Sequence, residues 1–235
     1  MNQPKIAVIS YNIPHRKTQD VVNGLKAKGY QNVKIFALPF VQRENPFKPI
    51  YQHRPSKAME INMSNYCTNF GYDFDLTTAE TLNHQLNDFV ADYIIIAGAG
   101  LLPDEVVENH QLINTHPGFL PYTRGLDSLK WAITKGVEIG LTTHFVDTEA
   151  DAGFLIEQKN VAVYANDTFH SVAYRQYEME IEMLINSIEL IPKINDFKSL
   201  SSNEFEATRR MPKAIEENLM KAFDNYKEKY STKIK

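Results

Sequence analysis

The chain has 235 residues, 43% of them hydrophobic and 23% charged, with a formal net charge of −4. That length and apolar content support one substantial domain with at most a small appendage. The acidic balance argues against a nucleic-acid-binding protein, which is normally basic over a face or a tail, and no run approaches the roughly 18 apolar residues of a membrane span.

The opening MNQPKIAVISYN passes directly into a strand-like run and lacks the longer hydrophobic region of a secretory signal. Cys67 is the single cysteine, which excludes an intrachain disulfide and fits a reducing compartment. A cytoplasmic globular protein is expected. KIAVIS (5–10) reads as a strand broken by Tyr11, Asn12 and Pro14. DVVNGLKAKGY (20–30) reads as an amphipathic helix, with Val21, Leu25 and Lys28 at helical spacing and Gly29 as a stop. NVKIFALP (32–39) is the next strand, and this order suggests a parallel sheet.

Residues 39–77 hold four prolines and many aromatics, among them Phe40, Phe47, Tyr51, Tyr66, Phe70, Tyr72 and Phe74. The aromatics argue against disorder, so an irregular excursion with a short strand or helix is expected near a ligand site. Residues 78–90 read as a helix. ADYIIIAGAG (91–100) reads as a strand ending in small residues. PDEVVENH (103–110) opens with proline and acids, as a helix does. LINTH (112–116) is a short strand, 126–135 a helix stopped by Gly136, and IGLTTHFV (139–146) and FLIEQKNVAVY (154–164) further strands. Residues 167–191 form a long helix with Thr168 or Asp167 as cap. A last helix, broken near Pro212, lies within 206–230.

These elements amount to an α/β fold with a doubly wound, largely parallel sheet and a short helical C-terminal tail. Ligands in such sheets sit beyond the carboxyl ends of strands. That rule puts Ser10–Lys17, Ala97–Leu102, Asn114–Gly125 and Asp147–Gly153 at one edge. SYNIPHRK lacks the glycine-rich turn of a dinucleotide site, which argues against NAD.

Asn114 and His116 follow one another at strand spacing, so both side chains can face the same way. A carboxamide N–H and an imidazolium N–H can stabilise the oxyanion of acyl transfer to an amine. A nearby carboxylate can tune the histidine or take the proton. No enzymic nucleophile is needed if the acyl donor arrives activated. Taken alone, the two residues read first as a turn capping a strand before Pro117, since so short a motif recurs by chance. DTEADAG (147–153) reads as a metal loop, a solvated turn or the source of that carboxylate, and AGAG (97–100) as a close approach to a ligand or a packing contact. His144 in its strand reads as a satisfied structural histidine, Trp131 as a core residue, and Arg209–Arg210 as solvated surface.

The order of the segments is more telling than any one of them. IIIAGAGLLP, then NTHPGFLPYTRG, then WAITKG, then GLTTHFVDTEADAGFLIEQ resembles the folate-dependent formyltransferase family over roughly residues 90–165. The resemblance implies a formyltransferase-like Rossmann variant, with residues 1–195 as the catalytic domain and 196–235 as the helical tail. It implies that 10-formyltetrahydrofolate donates a formyl group to an amine, with no metal. Asn114 would hold the formyl oxygen, His116 would stabilise developing charge, and Asp151 would orient or ionise His116 and assist proton removal. The reduced folate would lie against Ala97, Gly98, Gly100, Leu101 and Leu102, with Asp147 and Gly153.

Where the glycinamide ribonucleotide enzymes carry a glycine- and serine-rich phosphate loop, this chain has Tyr11-Asn12-Ile13-Pro14-His15-Arg16-Lys17. Where the tRNA enzymes carry a basic C-terminal domain, it has only a helical-looking tail. HPGFLPYTRG most resembles the sugar N-formyltransferases, which act on an amino-deoxysugar carried on a nucleotide diphosphate. That resemblance implies a dTDP-linked 4-amino-4,6-dideoxyglucose first and a 3-amino sugar second, on a route to surface polysaccharide such as O-antigen, and a homodimer. Tyr11, Asn12, Arg16, Lys17, Tyr122 and Arg124 are the acceptor candidates. Purine-pathway formyl transfer and a non-catalytic nucleotide-sugar or folate-binding module are the alternatives.

Overall fold

Short apolar runs alternate with amphipathic helices along most of the chain, and the fold follows that alternation. The computed structural model describes residues 3–42, 44–55, 57–148, 153–200 and 205–232. Its elements are β1 (Ile6–Tyr11), α1 (Arg16–Ala27), β2 (Val33–Leu38), α2 (Met63–Asn69), β3 (Asp73–Leu76), α3 (Leu82–Phe89), β4 (Tyr93–Ile96), α4 (Asp104–Asn109), β5 (Leu112–His116), α5 (Ser128–Lys135), β6 (Gly140–Val146), β7 (Gly153–Asn160), α6 (Phe169–Leu190), β8 (Ser199–Leu200), α7 (Lys213–Glu216) and α8 (Leu219–Tyr230).

The strands form one sheet in the order β3-β2-β1-β4-β5-β6-β7-β8. Strands β1 to β5 are mutually parallel, whereas β6, β7 and β8 run antiparallel to their neighbours. The order reverses between β1 and β4, which is the crevice where open α/β sheets hold ligands. Both faces are covered, so β1 and β4 are nearly continuous apolar runs. Val8, Ile35, Ile95 and Ile113 pack with Val21 and Leu25 of α1 and Leu184 and Ile188 of α6. Ile9, Phe36, Ile94 and Leu112 pack on the other face with Leu82 and Leu86 of α3 and Val106 of α4. A third cluster joins Leu129 and Ile133 of α5, Leu141, Val172 and the α8 residues Leu219, Phe223 and Tyr226. Thr168 caps α6, its hydroxyl accepting from the Ser171 N–H at 3.1 Å.

Three expectations need correction. Helix α1 begins at Arg16, one turn before Asp20, because Arg16 and Asp20 pair at 2.7 Å across that turn. The expected helix of the tail is present as α7 and α8 after Pro212, and β8 adds to the sheet before it through Gly153–Leu200 and Phe154–Ser199. Trp131 is not a core residue. It is half-buried, and its indole N–H donates to the Arg209 carbonyl at 2.8 Å, while the next residue inward is the fully buried Lys130. Finally, the Asp147–Gly153 segment does not leave at the carboxyl edge of the parallel strands. Strand β6 runs back along β5 with His116 opposite Thr142 and Ile113 opposite Phe145, so the chain departs beside the start of β5. Among the described residues no helix is long and apolar enough to cross a membrane.

Candidate active site

Strand alternation places Leu112, Asn114 and His116 on one face of β5, the face on which Leu112 packs with α3 and α4. Asn114 is half-buried and stands directly across the ladder from His144 of β6. His144 is 1% exposed, and its Nδ1 lies 3.1 Å from the Phe145 carbonyl. Its reading as a satisfied structural histidine omitted this neighbour, because cross-strand pairing is set by register and not by sequence distance.

His116 is 4% exposed. Its Nε2 lies 2.7 Å from the Thr123 carbonyl and 3.2 Å from the Ser128 hydroxyl. The turn that brings Thr123 back depends on Gly118. A Cβ there would sit 2.6 Å from His116 Nε2 and 2.6 Å from the Thr123 carbonyl. Ser128 was absent from the sequence reading, since the first residue of a helix ordinarily signals only a helix start.

Asp151, the expected acidic partner, lies outside the described residues. Its neighbour Asp147 is exposed and accepts from the Thr148 N–H at 2.7 Å. Gly153 has φ +107°, and a Cβ there would lie 2.0 Å from the Phe145 carbonyl, so closing the β6–β7 hairpin itself requires glycine at this position.

The two glycines of AGAG differ. A Cβ on Gly98 would meet the His15 ring at 2.8 Å and Tyr11 at 3.1 Å, whereas one on Gly100 meets nothing within 4 Å. Gly98 therefore serves packing at the crevice, and Gly100 leaves open space beside Leu101, which is fully exposed. Ala97 is buried, and Leu102 packs at the edge of the α3–α4 cluster.

The remaining candidates lie in two groups. Tyr11 meets His15 edge-on at 5.4 Å and Phe40 at 5.1 Å, and the Asn12 carboxamide oxygen accepts from the Phe40 N–H at 3.3 Å. Arg16 is paired with Asp20. Lys17 bonds at 2.8 Å to Glu180, a side chain 1% exposed whose other oxygen lies 2.8 Å from Arg54. Burial raises the Glu180 carboxyl, but Arg54 and Lys17 together outweigh it and bring it down to about 2. Burial, then Lys17 and Arg54, hold His15 down at about 4, so it is neutral at pH 7. Sequence reading missed Arg54 and Glu180, which are 126 residues apart and carry no motif. In the second group, Tyr122 is 43% exposed and stacks on Phe119 at 6.3 Å. Arg124 is buried and donates to the Phe205 carbonyl at 3.1 Å. Arg209 and Arg210 are exposed, as expected, with Arg210 3.7 Å from Asp127.

A family model described as formyl transferase matches residues 5–188. The chain belongs to the formyl transferase family. It is 28% identical to methionyl-tRNA formyltransferase of Sulfurimonas denitrificans over 206 residues, 84% of this chain and 66% of that protein. It is 32% identical to dTDP-4-amino-4,6-dideoxyglucose formyltransferase of Mycobacterium tuberculosis over 89 residues, 38% of each chain. The chain thus spans less than two thirds of the length of these curated relatives. The fold of this formyl transferase matches the crystal structure of phosphoribosylglycinamide formyltransferase from Anaplasma phagocytophilum, with TM-score 0.61, 21% identity, and coverage of 87% of this chain and 96% of the other. Sequence relatives named for two different acceptors, and a protein of the same fold named for a third, thus resemble this chain, and the expected resemblance to formyltransferases is borne out at the level of the family.

Proposed function

We propose that the chain transfers a formyl group from 10-formyltetrahydrofolate to the amine of a nucleotide-linked amino-deoxysugar, with dTDP-4-amino-4,6-dideoxyglucose as first candidate. The observation that carries this reading is the pair Asn114 and His116 on one face of β5, with the imidazole anchored through Nε2. The acceptor nitrogen attacks the formyl carbon, and negative charge grows on the formyl oxygen. Asn114 and His116 stabilise that charge, Asp151 assists removal of the ammonium proton, and as the carbon–N10 bond breaks that proton passes to N10, so that tetrahydrofolate leaves neutral and the formamide forms. Gly100 and Leu101 offer open surface to the folate, with Ala97, Gly98, Leu102, Asp147 and Gly153 as its further neighbours. On the acceptor side, exposed Tyr122 and the Tyr11–Lys17 segment are assigned to the nucleotide sugar.

The sugar acceptor is supported by the similarity to the mycobacterial enzyme and by the absence of a glycine- and serine-rich turn at 11–17. Residues 1–195 act as the catalytic domain and 196–235 as its tail, in a cytoplasmic homodimer that serves surface-polysaccharide synthesis without a metal. The test is incubation with 10-formyltetrahydrofolate and a panel of dTDP- and GDP-amino sugars, glycinamide ribonucleotide and charged initiator tRNA. Formylation of an amino sugar is expected. Turnover of glycinamide ribonucleotide or the tRNA alone overturns the acceptor, and no turnover of any amine overturns the enzyme reading.

A further inference from the structure

The hydrogen bonds around His116 fix which of its two ring nitrogens can change protonation. A backbone carbonyl has no hydrogen to give, so the 2.7 Å contact between Nε2 and the Thr123 carbonyl requires a hydrogen on Nε2. The Ser128 hydroxyl lies 3.1 Å from the Gly125 carbonyl, which for the same reason receives the hydroxyl hydrogen. Ser128 Oγ, 3.2 Å from Nε2, is then an acceptor. One Nε2–H is shared between two oxygens, both fixed by the 118–128 turn. Gly118 permits this approach, because any Cβ there would intrude to 2.6 Å from Nε2 and from Thr123. Ser128 itself is 3% exposed, so water does not readily substitute for it.

We propose that Ser128 is a positioning residue that, with the Thr123 carbonyl, locks His116 in the Nε2–H tautomer and makes Nδ1 the nitrogen that gains and loses the proton. This rests on the formyl-transfer reading only for its consequence for rate. Neutral His116 then presents an Nδ1 lone pair, and cationic His116 an Nδ1–H, toward the same point, with the ring plane unchanged between them. A histidine free to rotate would lose that direction on each proton transfer.

The experiment is a nitrogen-15 spectrum of the whole chain with labelled histidine, above neutral pH, with the His116 signals assigned by their loss in His116→Gln. The expected result is a protonated-type Nε2, an unprotonated-type Nδ1, and an Nε2–H that exchanges slowly enough with water to be seen. Ser128→Ala should speed that exchange and lower kcat about five- to tenfold with KM unchanged, the rate equivalent of one hydrogen bond. Ser128→Thr, which keeps the hydroxyl, should restore both. A wild-type His116 protonated on Nδ1 overturns the proposal, as does a Ser128→Ala variant with unchanged exchange and rate. If no amine is formylated, the functional reading fails while the spectrum still decides the tautomer.

Discussion

Lys130 and Glu216 form an ion pair with both side chains at 0% exposure, tying α5 to α7. The same carboxylate accepts the backbone N–H groups of Ile50 at 2.9 Å and Tyr51 at 3.1 Å. One side chain thus joins the aromatic-rich excursion, the helix that carries Ser128 and the C-terminal segment.

Removing one member leaves the other charge buried and unpaired. Glu216→Ala should therefore cost about 3–5 kcal/mol, measured by urea unfolding at neutral pH. Lys130→Met combined with Glu216→Gln should recover a large part of that loss, because the carboxamide still accepts from Ile50 or Tyr51 and no charge is stranded. A Glu216→Ala variant as stable as the parent would show that the pair is solvated in practice.

Acid should unfold the protein in two stages with different owners. His15 and His53 are both held at about 4 instead of 6.5, chiefly by burial, aided at His15 by Lys17 and at His53 by Lys130. The unfolded chain takes up these protons first, so stability present above pH 6.5 is lost as pH falls toward 4. Glu180 is depressed from 4.5 to about 2, and its contribution is lost between those values. Replacing both histidines with Gln should flatten the upper window, whereas Glu180→Gln should remove the lower one and also move the His15 uptake further down, since the Glu180 charge opposes the depression of His15, in denaturation midpoints followed against pH.

The two glycines of AGAG should separate under one substitution. Gly98→Ala drives a Cβ into His15 and Tyr11 and should cost about 1–3 kcal/mol by overpacking. Gly100→Ala meets no atom within 4 Å and should leave stability within about 0.5 kcal/mol. If the folate lies against this loop, Gly100→Ala should raise its KM with the melting curve unchanged. Equal melting losses in both variants would contradict the packing described for Gly98.

Gly153→Ala should destabilise more than either. Its φ of +107° is strained for any side chain, and the Phe145 carbonyl stands 2.0 Å from the new Cβ. The expected signature is faster hydrogen exchange confined first to the β6–β7 hairpin. Uniform protection in the variant would argue against local strain.

Most strands were legible because each is a short apolar run. LINTH coincides with β5 residue for residue, and the Asn114–His116 spacing survives folding because a strand preserves parity. Direction was not legible. The pattern GLTTHFV says that β6 is a strand but carries no sign for parallel or antiparallel, so the edge at which Asp147 emerges was misplaced. Buried ions were also hidden. Lys130 lies in a helix whose other residues suggest that Trp131, not the lysine, turns inward, and its partner comes 86 residues later. The anchoring of His116 by Thr123 and Ser128 is equally illegible, because backbone carbonyls leave no mark in a sequence.

The reversal of β6 also sets two of the expected site segments apart. His116 stands at one end of β5, and the chain leaves β6 toward Asp147 at the other. Four residues of strand separate those ends, about 13 Å at the usual rise. The two ends open on opposite edges of the parallel strands, so they face different loops of the fold. Strand register alone thus fixes the distance between the His116 end and the Asp147 end, before any side chain is considered.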